Sequence, residues 1–199
     1  YIDQKSGVST RMTITAMEQV ISAAERRAVS NGESEVTLRI TDLYAMIPAL
    51  TGKLELVYEG EQEGAANVAK HIIGKAINKT FKGYFPDPQK RSDTEEQGEY
   101  QEILDWFAKG NSLDIPDLLS SEEYKSRLDN VTGLHQIVKK FTKDSSDDEY
   151  ALMDLVIEAL HQNSKLGKED ADITRTYSDM LGSMLGSMDD LDDFEDFDR

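Results

Sequence analysis

The arginine that closes the run Gly7-Val8-Ser9-Thr10-Arg11 stands where a cation gains nothing from the backbone around it. From Ser9 to Ser30, Ile14, Met17, Val20, Ile21, Ala24 and Ala28 recur at steps of three and four, which places them on one face of an α-helix and predicts that face to be buried. The Ser9 hydroxyl can accept a hydrogen bond from a first-turn amide, so Arg11 falls inside that first turn. The helix macrodipole puts partial positive charge there, and an arginine in that place wants an anion from elsewhere. A phosphate meets the need, because the guanidinium is permanently charged and presents a planar fork of donors to phosphate oxygens. The plain alternative is a solvated arginine or a surface ion pair, the usual state of the residue.

Other residues with chemical potential are scattered. Glu59, Glu61 and Glu63 alternate beside Gly60 and Gly64 and read as solvated acids on a loop rather than metal ligands. His71, His135 and His161 lie in three separate predicted helices, none with a second histidine at ligand spacing, so neither a metal nor a catalytic role is expected of them. Lys143 to Glu149 resembles a calcium loop in composition only, lacking its sixth-position glycine and distal glutamate, and is expected to cap the next helix. There is no Gly-x-x-x-x-Gly-Lys-Ser/Thr phosphate loop, no apolar strand ending in acids, no Gly-x-Ser-x-Gly elbow and no His-Glu-x-x-His helix. No catalytic residue is therefore assigned, and the chain is not expected to hydrolyse a nucleotide by itself.

The 199 residues carry a formal net charge of −17 and no cysteine. A polyanion is bound through lysines and arginines that neutralise its phosphates, so nucleic acid is not expected as a partner and basic protein surfaces are. Without cysteine there is no disulfide framework and no thiolate site, which suits a reducing, cytoplasmic setting. No apolar run is long enough for a membrane span and no signal-like segment opens the chain. The first residue is Tyr1, not Met, and the expectation is an excised fragment.

The elements that must position Arg11 and the rest read as helices throughout. Tyr1 to Ser6 is expected to be a frayed lead-in, and Asn31-Gly32 a helix stop. Glu33 to Ile40 is a connecting segment. A second helix begins at Thr41-Asp42, short or bent because of Pro48. Leu54 to Tyr58 fits a strand or a helical turn equally well. Gly64 to Tyr84 forms a long helix with Ala65, Ala69, Ile73, Ile77, Thr80 and Phe81 as its stripe. Phe85-Pro86-Asp87-Pro88 ends it ahead of a charged stretch without periodicity. Further helices are expected around Tyr100 to Phe107, from Ser120 or Ser121 to Leu128, over Leu134 to Phe141 and over Tyr150 to Leu166. Trp106 serves either the core or a partner. Leu113 to Leu119 reads as a turn-like connection. Ile173, Tyr177, Met180, Leu181, Met184, Leu185 and Met188 read as one more helical stripe, weakened by Gly182 and Gly186. The end of the chain alternates carboxylates with Leu191, Phe194 and Phe197, which fits a tail disordered alone and able to dock as an acidic, apolar ligand.

Gly7 to Arg11, followed by the alanine-rich helix ending Ala23-Ala24-Glu25-Arg26-Arg27-Ala28, resembles the start of the sensor-2 helix in the lid of AAA+ ATPases of the magnesium chelatase I subunit and MoxR-like group. Val36 to Leu43 is similar to the turn into the next lid helix, and Thr51 to Gly64 resembles a passage in bacterial magnesium chelatase-like proteins. The resemblance implies an AAA+ lid-like helical domain at 1–86; the helical spacing and charged stretches beyond it add a linker at 87–98, an accessory helical domain at 99–188 and an acidic tail at 189–199, so that the whole chain reads as all-α. It also implies that Arg11 is the cofactor-binding residue, reaching the terminal phosphates of ATP with its Mg2+ in the parent protein, while nothing stays bound to this fragment alone. Implied partners are an upstream AAA+ α/β domain, ring-forming subunits and a von Willebrand factor A domain protein on which the lid motion acts. The region past Gln89 takes no part in the resemblance, so the implied role is general protein remodelling rather than insertion of magnesium into a porphyrin. The rival expectation is a non-enzymatic, acidic all-α interaction module in which Arg11 is only structural.

Overall fold

The computed structural model describes residues 10–89, 98–142, 149–171 and 174–180. The Gly7–Ser9 part of the arginine motif, the lead-in before it, most of the linker, the calcium-loop-like run, the methionine-rich segment past Met180 and the acidic tail lie outside them. The chain divides into two compact units, Tyr1–Thr80 and Phe81–Arg199.

In the first unit α1 (Thr10–Asn31) packs against an arm made of α2 (Ile40–Leu43), a 3-10 turn (Tyr44–Met46) and α3 (Ile47–Thr51). Gly32 ends α1 at a φ of +68°, where a side chain would be strained, and Glu33 donates its amide to the Ala28 carbonyl. Pro48 is tolerated because it sits in the first turn of α3, where its missing amide costs no helical bond. The buried face of α1 is Val20, Ala24, Arg27 and Ala28, not the whole stripe that the spacing predicts. Ile14, Met17 and Ile21 are 57%, 60% and 43% exposed, although α1 packs against the arm.

A buried ion pair holds the arm to α1. Arg27 is 3% exposed and bonds the Asp42 carboxylate through Nη1, while its Nη2 donates to the Thr37 carbonyl at 2.7 Å. Asp42 in turn accepts the Arg39 amide at 2.8 Å, satisfying a donor at the start of α2. Beyond the arm come α4 (Tyr58–Glu63) and α5 (Ala65–Tyr84). The three glutamates expected on a loop are thus helical: Glu59 and Glu61 in the first turn suit the dipole, and steps of two spread all three around the helix. Val68, Ala69, Ile73, Ile77 and Phe81 form the buried side of α5.

The second unit contains α6 (Gln101–Ala108), β1 (Leu113–Pro116), α7 (Ser121–Asp129), α8 (Leu134–Phe141), α9 (Glu149–Gln162), β2 (Gly167–Ala171) and β3 (Thr174–Ser178). The three strands form an antiparallel sheet in the order β1-β3-β2, with Leu113 opposite Tyr177 on one side and Lys168 opposite Tyr177 on the other. The all-α expectation is corrected accordingly: the chain is mostly helical and carries this small sheet. Leu113 to Pro116 is a strand rather than a turn because its inward residues, Leu113 and Ile115, alternate with period two, and Pro116 is accommodated at the end of an edge strand. The stripe through Tyr177 is likewise a strand, with Arg175 and Tyr177 buried and Thr174, Thr176 and Ser178 half-buried between them.

Ser120 caps α7 by accepting the Glu123 amide at 3.2 Å while the Glu123 carboxylate reaches back to the Ser120 amide, also at 3.2 Å. Gly133 opens α8 at a φ of +87°, where a Cβ would also come within 2.9 Å of the Glu102 side chain. The core is formed by Ile103, Phe107, Ile115, Leu128, Leu134, Met153, Ile157 and Leu160, all fully buried. At the start of the unit Phe81 stacks on Phe85 at 5.2 Å, and the Tyr100 hydroxyl donates to the Pro86 carbonyl at 2.7 Å. Trp106 is half-buried, edge-on to Phe107.

Removing one partner of the Arg27–Asp42 pair strands a buried charge, which costs about 3–5 kcal/mol. Arg27→Met and Asp42→Asn are each expected to lower the first unit's stability by that order in urea denaturation, and the double variant Arg27→Met/Asp42→Leu to recover most of it. Single variants within about 1 kcal/mol of the parent would refute a structural role for the pair.

Candidate functional site

Arg11 projects from the first turn of α1 and is exposed. Its carbonyl accepts the Thr15 hydroxyl at 2.9 Å, and that hydroxyl oxygen accepts from Lys53 Nζ at 2.9 Å. Lys53, on the turn after α3, therefore brings a second cation to the amino-terminal end of α1. Sequence reading passed over Lys53, and nothing local marks it, because the contact spans 38 residues. Arg11 and Glu18 are seven residues apart and so are Ile14 and Ile21, which makes two rows about 60° apart on the same side of the helix. The surface beside Arg11 is thus an exposed apolar row flanked by charge. This arrangement can bind an anion and seat an apolar surface.

The three histidines are not brought together. His71 is exposed on α5. His161 closes the end of α9, its Nδ1 3.1 Å from the Leu166 carbonyl. His135 on α8 lies between two carboxylates, with Nε2 2.7 Å from Asp129 and Nδ1 2.8 Å from Glu149. With both ring nitrogens committed, it is neither a free base nor an open metal ligand. Among the described residues no group of three or more His, Asp or Glu side chains is placed to hold a metal ion.

The densest polar cluster is buried. Asp154 and Glu158 sit four residues apart on α9 and are both fully buried. Tyr124 on α7 donates to Asp154 at 2.9 Å. Glu158 receives the Tyr177 hydroxyl at 2.6 Å, Gln162 at 2.8 Å and Lys168 Nζ at 3.3 Å. Arg175, two residues before Tyr177 on β3, enters the same layer. Burial alone would raise the Glu158 carboxyl, but Lys168, the Tyr177 hydroxyl and Gln162 together hold it down at about 2. Tyr177 is pushed well up, by burial first and by Glu158 next, so its hydroxyl stays a neutral donor. No substrate reaches groups so enclosed; their work is to fasten the β2–β3 hairpin to α9. Their signal in the sequence is two acids one helical turn apart inside the apolar run Leu152 to Leu160, a pattern that asks for buried partners.

No family model, no curated protein and no solved structure matches the chain. No helix among the described residues is long and apolar enough to cross a membrane.

A depressed carboxylate stabilises the fold above its unfolded value and stops doing so as pH falls through its folded value. For Glu158 that window runs from about pH 4.5 down to about 2. Lys168→Met removes the cation that holds the carboxyl down, so its folded value rises. The variant is expected to lose a few kcal/mol at pH 7 and to lose its remaining stability at a higher pH than the parent. Urea midpoints between pH 7 and 3 measure this, and a variant curve parallel to the parent's would show that Lys168 does not govern Glu158.

Proposed function

We propose that the chain is the carboxy-terminal helical part of a cytoplasmic, magnesium chelatase-like AAA+ ATPase, in which residues 1–86 act as the lid and Arg11 is the sensor-2 arginine. The observation that carries this reading is the exposed position of Arg11 in the first turn of α1, within the Gly-x-Ser-x-Arg spacing and beside the exposed row Ile14, Met17 and Ile21. In this reading the apolar row seats against an upstream ATP-binding α/β domain and so delivers the guanidinium to the nucleotide held there.

The residues present suit that task. A permanently charged donor fork at a positively polarised helix end suits a polyphosphate, and Lys53 adds charge of the same sign nearby. MgATP, held by the upstream domain, supplies the γ-phosphate whose transfer drives the cycle. Arg11 would bind and orient that phosphate, and loss of the contact once the phosphate has been transferred to water would let the lid shift within a ring of subunits and act on a protein partner, a von Willebrand factor A domain protein being the type the resemblance implies.

The apolar row also supports a second reading, a non-enzymatic acidic interaction module that uses α1 to hold a protein partner. The two separate on one measurement. In the full-length protein, Arg11→Ala is expected to lower ATP turnover tenfold or more and Arg11→Lys to retain part of it, with the circular dichroism of the chain unchanged. Turnover equal to the parent's in both variants would overturn the sensor reading and leave the interaction module.

A further inference from the structure

His135 joins three helices of the second unit. Its ring is carried by α8; Nε2 meets Asp129 at the end of α7 at 2.7 Å, and Nδ1 meets Glu149 at the start of α9 at 2.8 Å. Two carboxylates facing the two nitrogens are both satisfied only by the imidazolium, which has two N–H donors. Among the described residues the other groups around it are few. From α7, Lys125 lies over the Tyr150 ring at 5.3 Å; from α8, Lys139 is 3.9 Å from Glu149; from α9, the Tyr150 hydroxyl donates to Asp129 at 3.4 Å. Tyr150 is raised above its ordinary value, by burial and then by Asp129, so it keeps its proton where the imidazole loses one.

The two bonds are unequal. Glu149 is 16% exposed and has Lys139 as well, whereas Asp129 is 44% exposed and can turn to water. An acceptor that is poorly solvated holds its donor harder, because water replaces the bond less well. An open depression of about 520 Å³ adjoins the weaker bond, lined by Asp129, Val131, Thr132, Gly133, Gln136 and Lys139.

We propose that His135 is a proton-operated clasp whose Asp129 bond releases first, freeing the turn between α7 and α8 while α9 stays fastened through Glu149. The proton that leaves is the one on Nε2, and it goes to solvent on the exposed side. The remaining proton sits on Nδ1, so the neutral ring keeps its donor toward Glu149 and turns a lone pair toward Asp129, which repels that carboxylate. Glu149 and Asp129 lift the imidazole above its ordinary value of 6.5, against burial, so the bond to Asp129 is present at and below that pH and is lost as pH rises through the raised value.

The experiment uses the whole chain. Nitrogen-15 NMR of the imidazole across pH 5.5 to 9.5 reads the titration and the neutral tautomer, and hydrogen exchange over the same range reads the turn at residues 130–133. After correction for the intrinsic pH dependence of exchange, protection at 130–133 is expected to fall at least tenfold as His135 titrates, with α9 unchanged and the neutral ring in the Nδ1–H form. Asp129→Asn is expected to shift the titration to lower pH, and His135→Gln to abolish the pH dependence. An Nε2–H tautomer, a turn whose protection does not follow the His135 titration, or an unchanged pH dependence in His135→Gln would each overturn the proposal. If His135→Gln unfolds, the tautomer and the Asp129→Asn shift still decide it.

Discussion

A carboxylate without water decides the architecture of the second unit. Glu158 is fully buried on α9, and an isolated charge in that position would neutralise itself or prevent folding. It stays ionised because β2 brings Lys168 and β3 brings Tyr177, residues that face each other in the strand register. The hairpin therefore has one acceptable register and one acceptable docking. A shift of one residue would send the tyrosine to the opposite face and leave the acid without its shortest hydrogen bond. Asp154, one turn earlier, ties α7 to the same layer through Tyr124.

The first unit uses the same device on a smaller scale. Arg27 is the only charged residue on the buried side of α1, and Asp42 and the Thr37 carbonyl meet it from the arm. Small alanines elsewhere on that side let the arm approach closely, so the ion pair sets where along α1 it settles. After the arm, Lys53 reaches α1 again at Thr15, while Arg11, Ile14 and Met17 stay exposed.

Legibility followed the length of the period. The long helices were readable because their apolar residues repeat over several turns, and a cap at Ser120 or Ser121 was readable from residue type, the fold choosing Ser120. The strands were not. Leu113 to Pro116 offers only two inward residues and ends in proline, and the row through Tyr177 and Met180 mimics helical spacing because a buried Arg175 hides the true alternation. On α1 the pattern gave the helix but not its covered face, since Ile14 and Met17 are as apolar as Val20. Arg11 was legible as an arginine in want of an anion. Lys53 was not, because its neighbour on α1 lies far away in sequence.

The sheet order carries a kinetic consequence. β3 lies at the centre and its partner β1 comes from before three intervening helices; the Thr176 to Asp114 contact across them joins residues 62 positions apart. Closing so wide a loop is entropically slow, and the β2–β3 hairpin alone is too small to persist in water. The sheet is complete only when β1 meets β3 across that loop, so the folding rate of this unit is governed by chain topology rather than by local preference.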